Sequence, residues 1–322
     1  MKSYHLYIAS CVPDGGIFHV RLRDGVLTLL EKTPCPSPMF LDAAPEDVWA
    51  VLRCPFPGSR ESALQRFPRD GRGVLGAPDK PVGTGGVVAC HLCRYEGRVY
   101  AVNYLSGSVF RQDGALDVHE GTGVNPERQE APHTHFIAPA PDGSCLLSTD
   151  LGLDEIFLYD GDLNVLGTAG VPAGHGARHL AYSEDGRTVF CANELASTVS
   201  VFRFEHGALT LLQTVPVLRA PNSGNTAAAI RVRGDYVYVS NRGNNSISCL
   251  RWDGKHLELC SETPCGGSWP RDFILVEDLL LCANEYGNCV TVLKVCGETL
   301  ELLPQKLEIE APLCIVALPE KE

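Results

Sequence analysis

The chain has 322 residues, 44% of them hydrophobic and 20% charged, which is enough apolar material to bury a substantial core and excludes a disordered class. Its 27 basic and 39 acidic side chains leave a net charge of −12, which argues against a general electrostatic grip on nucleic acid or an anionic membrane surface. An anionic ligand would need a local basic pocket.

The first residues, MKSYHLYIASCVPDG, carry one lysine and no long apolar run, so they predict a strand and a turn rather than a signal peptide. The expected location is the cytoplasm. HLYIAS, GIFHVRL and GVLTLLEKT then predict three short strands. From Arg53 to Gly86, proline and glycine crowd out any periodicity, which predicts a long loop or a poorly formed repeat. The GTGG at 83–86 lacks the Lys-Ser/Thr of a phosphate-binding loop and any following helix.

From His133 onward a repeat becomes plain. PHTHFIAPAPDGSCLLSTDLGLDEIFLYD is followed by GARHLAYSEDGRTVFCANELASTVSVFRF, with the PDG and EDG turns and the polar tips in register. Asp150 to Asn193 is 43 residues, and so is His135 to Arg178. Aligning the polar tip after each HLYIAS-like strand finds Ser10, Arg53, Asn103, Asp150, Asn193, Asn241 and Asn284, at intervals of 43 to 50. Short alternating strands repeating at such a period predict a β-propeller of seven blades. PLCIVALP near the C-terminus is a strand with no partners after it, while the N-terminus offers three strands with none before them. Pairing the two ends in one blade closes the ring and protects both edges. The expected fold is therefore all-β, a seven-bladed propeller whose closing blade is shared between the ends, spanning 1–322 as one domain. The fourteen cysteines are scattered, often within apolar strand patterns, and predict reduced buried thiols rather than disulfides or a zinc site.

Repeat geometry also predicts which polar residues meet. The start of an inner strand and the end of its antiparallel neighbour lie at one rim. Counting back from the tips puts His135, Arg178 and Thr226 at strand entrances, with Arg271 and His91 fitting after shorter turns. One mouth thus collects His91, His133, His135, Arg178 and Arg271 with the tip residues Asp150, Glu194, Arg242 and Glu285. Asp150 and the recurring Asn103, Asn193, Asn241 and Asn284 are expected to serve the fold. His133 and His135, two apart, share a strand face, but no third ligand stands at a metal-binding spacing. Blade-tying ion pairs are the structural alternative for Arg178, Arg242 and Glu194.

The strings PHTH…PDG…DLGLD, GARH…DG…NELAST, NTAAAIRV…YVSNRGNNSI and PRDF…CANE, with a weaker CH…VNYLSGSV before them, resemble the cytosolic lactonase family of seven-bladed propellers. That family includes propeller-type 6-phosphogluconolactonase and carboxymuconate-cyclising enzymes. The resemblance covers roughly residues 85–295 and implies that the family's histidine, arginine, glutamate and arginine site falls on His135 or His133, Arg178, Glu194 and Arg242. The CPFPGSRESALQRF segment departs from the family pattern. Lactone hydrolysis needs a water, a base for its proton and donors for the oxyanion. Glu194 or a neutral His135 would supply the base, and the arginines would hold the oxyanion or an anionic handle. The leading expectation is a hydrolase without cofactor or metal, acting on an anionic sugar lactone such as 6-phosphogluconolactone. The alternatives are a carboxymuconate-type lactonising or isomerising lyase and a non-enzymatic binding scaffold.

Overall fold

The computed structural model describes residues 2–320, which form 28 strands, numbered β1–β28 in chain order, and no helix among the described residues. They pair into seven four-stranded antiparallel sheets, the blades of a propeller. The first blade joins the ends of the chain. There β28 (Pro312–Pro319) is the inner strand and pairs with β1 (Ser3–Ser10), which is followed outward by β2 (Gly16–Arg23) and β3 (Val26–Pro34). Their register runs from Tyr4 opposite Pro319 to Ser10 opposite Pro312. The expected closure is thus what forms. Deleting residues 311–322 should strip β1 of its inner neighbour and abolish the cooperative melt of the ring; a truncated chain that melts with the full one would refute this role.

The hydrophobic core is divided into seven parts. Each apolar cluster lies between two adjacent blades, as where Leu6, Ile8 and Val20 of the first blade meet Leu281, Val290 and Val292 of the seventh. Both faces of a middle strand are therefore buried, which explains near-continuous apolar runs such as TVFCAN and LLLCAN. Asn103, Asn193, Asn241 and Asn284 end the second strands of four blades and are fully buried. Each side-chain amide donates to a Ser or Thr hydroxyl of the following strand, as Asn193 does to Thr198 and Ser200, both at 2.9 Å. These amides lock the tips.

The region from Arg53 to Gly86 differs from the expectation. It completes a four-stranded second blade, with β4 (Pro38–Ala43), β5 (Asp47–Leu52), β6 (Glu61–Pro68) and β7 (Val82–Val87) in order and 53–60 and 69–81 as connections, although β7 pairs with β6 at three positions across a register break. Glycine is tolerated in β7 because that strand is the outermost of its sheet. It is required at Gly86, where a Cβ would collide with the Asn103 side chain.

Candidate functional site

Backbone irregularity builds the site. At the entrance of every inner strand the register with the neighbouring strand slips, so that one or two residues bulge out of the ladder toward the propeller axis. The bulging residues are Met39, Cys90, His135, Arg178, the Ala228–Ala229 pair, Arg271 and Leu313. A second ring stands above, made by the residue that follows each Ser10-, Leu52- or Asn-type strand end: Cys11, Arg53, Tyr104, Leu151, Glu194, Arg242 and Glu285. Most members of both rings, with Val88 and Arg128, line one cavity of about 270 Å³ at the mouth of the central channel.

The cavity is asymmetric. Its apolar and sulfur-bearing wall carries Leu313, Cys11, Met39, Val88 and Cys90, with the Cys11 thiol 3.3 Å from the Met39 sulfur. The opposite wall is ionic. Glu194, 5% exposed, accepts from three guanidiniums: Arg242 at 2.7 Å and Arg178 at 2.9 Å on Oε2, and Arg128 at 2.8 Å on Oε1. Burial opposes the charge of Glu194, but Arg242, Arg178 and their neighbours outweigh it and hold the carboxyl well below the usual range. Arg178, 1% exposed, is pushed down to about 9 by burial and by Arg242, against the pull of Glu194, and remains cationic at neutral pH. Arg178 Nη1 and Arg242 Nε have no protein partner. Arg242 also lies 5.6 Å from the Trp269 ring centroid, and Trp269 stacks on Tyr286.

His135 stands beside this cluster, edge-on to Tyr104 with ring centroids 5.6 Å apart, and its Nδ1 has no partner. Burial, reinforced by Arg178, drives its pKa well below the ordinary 6.5 despite Glu194, so the ring is neutral at neutral pH. Arg271 reaches the cavity too and pairs with Glu285 at 3.3 Å.

The structure brings His135, Arg178, Glu194, Arg242 and Arg271 together, but places His91 and His133 outside the cavity lining. His91 pairs opposite Val102, one residue past the bulge, and the mouth position it was expected to take belongs to Cys90. Its buried ring sits between Phe40 and Phe136, at 4.0 and 4.4 Å, and meets the His179 ring edge-on at 5.4 Å. His133 precedes its strand. It donates from Nδ1 to the Tyr104 carbonyl at 3.0 Å and stacks beneath the Tyr104 ring, so it supports the lining without joining it. Thr226 likewise yields its expected place to Ala228, because Asn241 pairs with Ala227. Asp150 is consumed by the fold, accepting from the His133, Gly152 and Leu153 amides and contacting His119 at 2.6 Å.

Sequence reasoning missed Cys90, Arg53, Tyr104 and Arg128. Tyr104 follows the asparagine of its second strand as Glu194 and Arg242 do, so the repeat carried its signal; Arg53, aligned in the sequence with the asparagine tips, stands one place beyond Leu52, which ends β5. Arg128 lies in the loop before β12 (Thr134–Pro139) and has no counterpart in other blades. Cys90 and Cys93 have a CxxC spacing, yet both thiols are free, as are all fourteen cysteines, ten of them buried.

His91, His135 and His179 are all buried and all held well below 6.5, chiefly by desolvation. The unfolded chain takes up protons near 6.5 while the folded one does not, so their contribution is complete above that value and lost as pH falls. Each neutral ring costs about 1.4 kcal/mol per pH unit below it. Urea midpoints should therefore drop clearly between pH 7.5 and 5.5; a flat profile would show that these rings are solvated or charged in the fold.

Residues 5–317 match the sequence model described as "Lactonase, 7-bladed beta-propeller". An uncharacterised protein of Staphylococcus aureus (strain bovine RF122 / ET3-1) is 36% identical over 205 residues, 60% of this chain and 59% of that protein, so the match spans less than two thirds of the relative. Among solved structures, a "putative 6-phosphogluconolactonase" from Bacteroides fragilis is similar with a TM-score of 0.88 and 26% identity, over 98% of each chain. A protein from Lactobacillus plantarum gives 0.87 and 27%, over 99% of this chain and 100% of that one. With the family match running almost from end to end over a complete ring of seven blades, the chain belongs to the seven-bladed β-propeller lactonase family.

Proposed function

We propose that the protein opens sugar lactones by hydrolysis, with 6-phosphogluconolactone as the leading substrate. The observation that carries this reading is a neutral imidazole, His135, facing the same cavity as Glu194 with Arg128 and Arg242 clamped on it, while Arg178 grips the same carboxylate from behind the lining. Water attacks the lactone carbonyl, and His135 takes the proton. The developing oxyanion is held by the guanidinium of Arg242, which lines the cavity, and the positive charge of Arg178 buried behind it adds to the field there. When the tetrahedral species collapses, the ring C–O bond breaks and the leaving alkoxide takes the proton back from His135, giving the open-chain hydroxy acid. Glu194 orients the arginines. A carboxylate gripped by three cations is a weak base, so the base role falls to His135 rather than to Glu194.

The name of the Bacteroides relative supports the choice of substrate, and so does the surplus of guanidiniums over carboxylates in a chain of net charge −12. The test is the rate of acid release from 6-phosphogluconolactone and from gluconolactone, each corrected for spontaneous opening. Acceleration of either supports lactone hydrolysis, and a preference for the phosphorylated lactone supports the finer assignment. No acceleration of any lactone would overturn the reading.

A further inference from the structure

We propose that Arg53 reads an anionic group of the substrate, a phosphate monoester or a similar dianion, at a subsite across the cavity from the reacting carbonyl. This rests on the lactonase reading for the rest of the ligand, but the subsite can be tested without turnover.

The cavity is lined by four arginines, and three are already committed. Arg128 and Arg242 bind Glu194, and Arg271 pairs with Glu285. Arg53 alone has no carboxylate partner among the described residues, and it is exposed at the rim. An unpaired guanidinium at the edge of a cavity in an acidic protein is a local attractor for anions, and its planar fork matches phosphate oxygens two at a time.

Position separates this cation from the chemistry. Arg53 follows β5 of the second blade, on the side of Cys11 and Met39, whereas His135 and the Glu194 cluster rise from the fourth to sixth blades and the loop before them. A ligand touching both must span the mouth, as a sugar lactone with its charged group remote from the carbonyl does. Arg53 and Arg271 flank Cys11: burial pushes that thiol up while both guanidiniums pull it down. Arg271 is thus placed to join Arg53 on the anion, its 3.3 Å contact with Glu285 leaving other donors available. The backbone behind Arg53 is stiffened by Pro55 and Pro57, and the loop is closed by the Ser59 amide on the Phe56 carbonyl at 3.1 Å. Arg53 itself takes the regular place after its second strand, as Tyr104 and Glu194 do, and the departing segment begins just behind it at Cys54.

The test compares the parent enzyme with Arg53→Ala, Arg53→Lys and Arg53→Glu, whose exposed site should leave the melting temperature unchanged. For Arg53→Ala, the ratio of kcat/KM on 6-phosphogluconolactone to that on gluconolactone should fall about ten-fold or more. Arg53→Glu should lower it further, and Arg53→Lys should recover part of it by charge alone. An unchanged ratio overturns the assignment. Calorimetric titration with 6-phosphogluconate and with inorganic phosphate gives a second, turnover-free measure. Binding weakened about ten-fold in Arg53→Ala supports the subsite even in a protein that opens no lactone. Equal binding in parent and variant overturns it even in one that does.

Discussion

Replacing His135 by alanine should lower kcat/KM for lactone opening by about 10²- to 10⁴-fold, the usual loss when a positioned base is removed. The fold should survive. The His135 Nδ1 has no hydrogen-bond partner to strand, and the space vacated opens onto a cavity that already exists. The pH profile makes the test specific. The active form is the neutral ring, and its charged neighbours are Arg178, Arg242, Arg271 and Glu194. Burial and Arg178 hold its pKa well below 6.5, so the parent's kcat/KM should stay level from neutral pH down past 6 and decline only further into acid. That acid limb should vanish in His135→Ala. A variant with near-parental turnover, or an unchanged acid limb, would remove His135 from the mechanism.

Glu194→Gln should be costly in a different way. The carboxylate is the shared counter-ion of Arg128, Arg178 and Arg242, and two of those cations are buried at 1% and 5% exposure. Glutamine keeps the shape but removes the charge, leaving buried guanidiniums that repel each other. Uncompensated buried charge of this kind costs about 3–5 kcal/mol, which for a large domain corresponds to a drop in melting temperature on the order of 10 °C. Activity should fall with it, because the arginines lose their alignment. A second substitution separates the causes: Arg178→Met in the Glu194→Gln background removes one stranded charge and should restore part of the stability without restoring turnover. A Glu194→Gln protein that melts within a degree or so of the parent would show that the cluster is solvated rather than electrostatically bound.

These expectations draw on two different levels of information. The alternation of HLYIAS and TVFCAN, the PDG and EDG turns, and intervals of 43 to 50 between polar tips specify short strands and their repeat, because side-chain period and turn chemistry are local properties. Ring closure was legible for the same reason: an inner strand at one end and three partners at the other cannot be satisfied separately. The residues of the ionic wall were legible as far as the repeat extends, so His135, Arg178, Glu194 and Arg242 were all found by counting. Counting failed where the hairpin between the first two strands is shorter, 96–97 and 234–235 against 140–145 and 183–187. Those short turns place the bulging residue nearer to its tip, which exchanged His91 for Cys90 and Thr226 for Ala228. The bulge itself recurs at every inner strand, but which residue occupies it follows from the pairing register and not from residue type. The second blade was misjudged for a related reason: edge strand β7 tolerates glycines that read as a loop, and only its packing on Asn103 shows why they are there. The grip of three guanidiniums on Glu194, the neutrality of His135 and the unpartnered Arg53 were beyond the sequence altogether. They depend on burial and on distances between blades far apart in the chain, and desolvation and Coulomb energy act through space rather than along the backbone.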